Sequence, residues 1–93
     1  MILSDKMTNE TDINKIDEEM QKKGWIFLGP ILHYEKAVKD QALVYKKENE
    51  YIVLGINKNE NEVFKDKIQK NIAEKRVKES MIEISKHMLK SSL

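Results

Sequence analysis

After Gly55 the chain runs to residue 93 without another glycine, and it contains no proline beyond Pro30. Nothing in that stretch forces a helix to stop. Asn59 followed three residues later by Glu62 has the form of an N-cap with its reciprocal acid, and Glu60 adds negative charge to the first turn. The spacing predicts one helix over about 60–90. Such a helix is about 45 Å long at 1.5 Å per residue, whereas a compact chain of this size is roughly 30 Å across. It is expected to extend beyond its own core.

The apolar pattern agrees. At 100° per residue, Phe64, Ile68 and Ile72 form one stripe, while Ala73, Val77, Met81, Ile84 and Met88 form another on nearly the opposite side. Either the helix breaks between Ala73 and Val77 and folds back, or it continues and its outer stripe meets another molecule. The intervening Glu74, Lys75 and Arg76 favour continuity, since a kink usually needs Gly or Pro. Val77, Met81, Ile84 and Met88 are spaced 4, 3, 4, as in a short coiled-coil seam, and are the expected dimer or partner interface. The plainer alternative is that this stripe completes the chain's own core.

Upstream, Ile13, Ile16 and Met20 recur at three- and four-residue spacings and predict a helix over 11–23. Gly24 suits the left-handed stop, with Trp25 closing over Met20. The run 25–34 is almost wholly apolar and reads as a strand bent at Gly29-Pro30. Segments 41–46 and 51–57 flank Lys-Glu-Asn-Glu and read as a hairpin with a loop of about four residues, Tyr45 facing Tyr51 near its closed end. The expectation is an α+β fold of order α-β-β-β-α. A three-stranded antiparallel sheet would carry helix 11–23 and the first half of helix 60–90 on one face. Residues 1–10 would be a flexible tail and 11–93 a single domain. Trp25 and Phe27 would face one side of the sheet and Ile26 and Leu28 the other, so both faces call for cover.

Composition narrows the chemistry. The chain has no cysteine, so disulfides, thiolate metal sites and thiol nucleophiles are excluded and a cytoplasmic location is expected. The N-terminus lacks the basic and long apolar regions of a secretory signal, and no run approaches the ~20 apolar residues of a membrane span. His33 and His87, the two histidines, lie in different elements with no carboxylate at metal-ligand spacing, so neither a metal nor another cofactor is expected. Neither GxGxxG nor GxxxxGK[ST] occurs, and Ser80, Ser85, Ser91 and Ser92 lie on or after a charged helix without a general base near them in sequence, so no enzyme activity is expected.

Seventeen basic and sixteen acidic residues give a net charge of +1, which removes any overall drive toward nucleic acid or anionic lipid. Cations do gather in 65–78, where Lys67, Lys75 and Lys78 form the tightest group on a helical projection and would be the nucleic-acid contact if one existed. Six cations spread over more than half the circumference fit a solvated face better. Almost all of the basic residues are lysine, as expected of an AT-rich bacterial, phage or plasmid genome. The sequence points to a small non-enzymatic protein-binding or regulatory module of the kind a mobile element encodes, expected as a homodimer with a further protein partner. Nucleic-acid binding through the basic segment is the alternative.

Overall fold

A computed structural model describes residues 13–92; the tail expected at 1–10 lies outside the described residues. Helix α1 spans Ile13–Lys22, followed by strands β1 (Ile26–Leu32), β2 (Gln41–Lys47), β3 (Glu50–Ile56) and β4 (Val63–Lys67) and by helix α2 (Lys70–Ser92). The four strands form one antiparallel meander in the order β1-β2-β3-β4. The fold is α+β, with a fourth strand that the three-stranded expectation lacked.

That strand lies where the long helix was expected to begin. Val63–Lys67 opens with two apolar residues followed by Lys-Asp-Lys and pairs with β3, which leaves Phe64 opposite Gly55 and Val63 opposite Ile56, one apolar side chain for each face of the sheet. A stripe of Phe64, Ile68 and Ile72 at four-residue spacing fits a helix only while β3 is left out of account. The expected N-cap at Asn59 is instead part of a turn, in which the Asn57 side-chain oxygen accepts from the amides of Asn59 and Glu60 at 2.8 and 3.0 Å. The helix proper starts at Lys70 and runs unbroken through Ala73 and Val77. Its 23 residues make it about 35 Å long.

The first helix ends as its sequence predicts. Gly24 takes φ 98°, its amide donates to Gln21 at 3.0 Å, and the Trp25 amide donates to Met20 at 3.0 Å. This is the double closure that a left-handed glycine permits. Trp25 then packs with Met20 in the core.

The two helices cover opposite faces of the sheet, and not one face together. Met20, Tyr45, Ile52 and Leu54, with Ile16 and Trp25 against them, form the core under α1. Ile31, Ala42, Val44, Tyr51, Val53 and Ala73, with Leu28, Phe64 and Val77 against them, form the core under α2. Period-two alternation along β2 and β3 produces the division. The β2–β3 turn holds only Glu48 and Asn49, so Tyr45 pairs with Ile52 and Tyr51 with Lys46. The two tyrosines consequently lie on opposite faces, because a loop with an even number of residues cannot place 45 opposite 51. The expected bend in β1 is present as a bulge between Phe27 and Gly29, which lets Leu28 and Gly29 serve the same face. Residues 51–55 of β3 are all buried, and fully burying Val53 and Leu54 on opposite faces contributes about 2 kcal/mol each.

Candidate functional site

Helix α2 leaves β4, crosses its face of the sheet and comes to lie over β1. Ala73, Val77, Ser80 and Ile84, spaced 4, 3, 4, form its inward stripe; Ala73 and Ser80 are buried and the other two half-buried. Glycine 29 makes the close approach possible, since a Cβ there would stand 2.7 Å from Val77 Cγ1 and its φ is 154°. Three side chains of α2 then engage the end of β1. Ser80 Oγ accepts from the Leu32 amide at 2.9 Å, and Arg76 Nη2 donates to the carbonyls of Leu32 and His33 at 3.1 and 3.2 Å. Glu83 meets His33 Nε2 at 3.1 Å. Residues 85–89 of the helix are exposed.

Between this last part of α2 and the end of the sheet lies a groove of about 1120 Å³. The lining wraps the end of the sheet: Pro30 and Leu32 of β1, Leu43 of β2 and Ile56 of β3 stand on the face that α1 partly covers and supply an apolar floor, Ala42 and Gly55 stand on the face that α2 covers, and Ile13 at the start of α1 and Ile84 of α2 flank them. Polar groups of the lining include His33, Glu83, His87, Lys39 and Asp40. Lys39 and Asp40 hold left-handed conformations, with φ 58° and 56°. Asp40 also pairs with Lys58 at 3.2 Å, which ties that rim to the β3–β4 turn. Both histidines of the chain thus line one groove, although they lie in different elements. Among the described residues no group of three or more His, Asp or Glu side chains is placed to hold a metal ion. An apolar floor with a few polar groups at the rim is the form taken by sites for apolar ligands and amphipathic segments.

A smaller cleft of about 430 Å³ lies beside Tyr34, Lys36 and Arg76. Tyr34 and Lys36 of its lining are engaged with side chains of β4. Tyr34 stacks on Phe64 at 5.8 Å, Lys36 lies 4.3 Å from the Phe64 ring centroid, and Asp66 accepts from Lys36 at 2.7 Å and from the Tyr34 hydroxyl at 3.2 Å. Burial, then the adjacent Asp66 carboxylate, raises the Tyr34 pKa above its usual value, so the hydroxyl remains a donor. This cluster fastens the segment after β1 to β4. Under α1, Tyr45 donates to Asp17, and burial followed by that hydrogen bond raises its pKa strongly.

The residues expected at an interface are distributed unequally. Val77 packs into the core and Ile84 lines the groove, while Met81 is 48% and Met88 67% exposed. Met88 also reaches the groove lining. The expected basic group does not share one helix: Lys67 lies opposite Ile52 on the α1 face of the sheet, whereas Lys75 and Lys78 belong to α2 on the other side. Sequence reasoning did not single out Pro30, Leu32, Leu43 and Ile56. Their signal was the alternation of strands whose two faces both wanted cover.

No helix among the described residues is long and apolar enough to cross a membrane. Comparisons of the chain with protein-family models, with curated proteins and with solved structures find no match.

Proposed function

We propose that this chain is a small non-enzymatic binding module that takes an apolar segment of a protein partner into the groove at the end of the sheet, between the start of α1 and the last turns of α2. A second copy of the chain is the first partner to test. The observation that carries this reading is the apolar floor of Pro30, Leu32, Leu43 and Ile56 in a groove of about 1120 Å³. Apolar surface gathered in one concavity marks interaction sites on folded proteins, and a helix laid into such a groove is anchored by residues at i, i+3, i+4 and i+7. A binding role also agrees with how the polar side chains are used. Ser80, Arg76, Tyr34 and Tyr45 are each engaged in holding elements together. Separation of Lys67 from Lys75 and Lys78 across the sheet weakens the nucleic-acid alternative, because a duplex site needs cations converging on one face.

The test combines sedimentation equilibrium at tens of micromolar with capture from lysate and mass spectrometry, using wild type, Ile84→Glu and Ile56→Glu. The expected result is a wild-type assembly, or a captured protein, that resists high salt and is lost in both variants while their circular dichroism remains that of the folded chain. A wild-type monomer that captures nothing would overturn the proposal. So would sub-micromolar affinity for duplex nucleic acid at 200 mM salt that disappears when Lys75 and Lys78 are changed to Glu.

A further inference from the structure

No further inference is drawn: the strongest candidate, the apolar groove between the open end of the sheet and the last turns of α2, already carries the proposed function, and nothing in the structure shows what covers it.

Discussion

The two faces of the sheet are covered by different means. On one, α2 is longer than any strand and is fixed at several points: Val77 against Gly29, Ser80 and Arg76 on the backbone at Leu32, and Glu83 on His33. On the other, α1 has ten residues, about 15 Å, against roughly 23 Å for a seven-residue strand. It covers Tyr45, Ile52 and Leu54 near the β2–β3 turn and leaves the opposite end of that face to the groove. A face is closed by the length of what lies on it as much as by its hydrophobicity. The shorter cover creates the site.

If α2 is seated by close approach, the largest effect should come from Gly29→Val. The new side chain meets Val77 and must adopt φ near 154°, so overpacking and backbone strain together should cost roughly 4 kcal/mol in urea denaturation. Adding Val77→Ala should recover the packing part and leave the strain. A neutral Gly29→Val would show that α2 is not held against β1 as described.

The α1 face should respond less to its own best anchor. Trp25→Ala should cost roughly 3 kcal/mol, the low end for removing a core aromatic, since the ring is half-buried against Met20 and the rest of that core. Loss of a partner without loss of stability would instead make Trp25 a binding residue.

Smaller again is the effect of Ser80→Ala, which leaves the Leu32 amide without its acceptor and should cost about 1–2 kcal/mol. Arg76→Lys should act in the same direction, because the guanidinium serves two carbonyls and an ammonium lacks its planar fork.

The last comparison is one of pH. Tyr45 has its pKa raised in the folded state by burial and by Asp17, so the folded chain holds that proton more tightly than the unfolded one. The stabilisation is fully present below the unfolded value of about 10 and is lost as pH rises beyond it. Wild type should therefore lose stability steeply above about pH 10. Tyr45→Phe should flatten that slope without abolishing it, since Tyr34 titrates in the same direction.

How much of this was legible in the sequence differs by element. The end of α1 was legible because Gly24 and Trp25 act on the four residues before them, a local interaction that needs no partner strand. The hairpin and the bend at Gly29-Pro30 were legible for the same reason. β4 was not, since Val63-Phe64-Lys65-Asp66-Lys67 has no alternation of apolar and polar residues while Phe64, Ile68 and Ile72 offer a helical spacing, and pairing with β3, settled only in the folded chain, decides for the strand. The apparent change of helix face near Ala73 was in truth a change from strand to helix. The groove was half-visible: both faces of the strands were apolar, but which end of which face stays without a helix depends on where α1 begins and on how far α2 travels. The contact of His33 with Glu83 follows from that same crossing and has no trace in their spacing.

The contacts of Ser80 and Arg76 with Leu32 have a consequence for how this sheet can grow. They occupy the outward-facing amide and carbonyl at the end of β1, and Pro30 two residues earlier has no amide to offer. A foreign strand therefore finds no continuous ladder on that side. On the other side β4 is five residues long, and pairing it antiparallel with its own copy would oppose Lys65 to Lys65, or Lys65 to Lys67, in the registers that keep like faces together, a repulsion that edge lysines supply. The proposed binding through the groove therefore does not invite polymerisation through the backbone, and any assembly should remain of defined size as concentration rises.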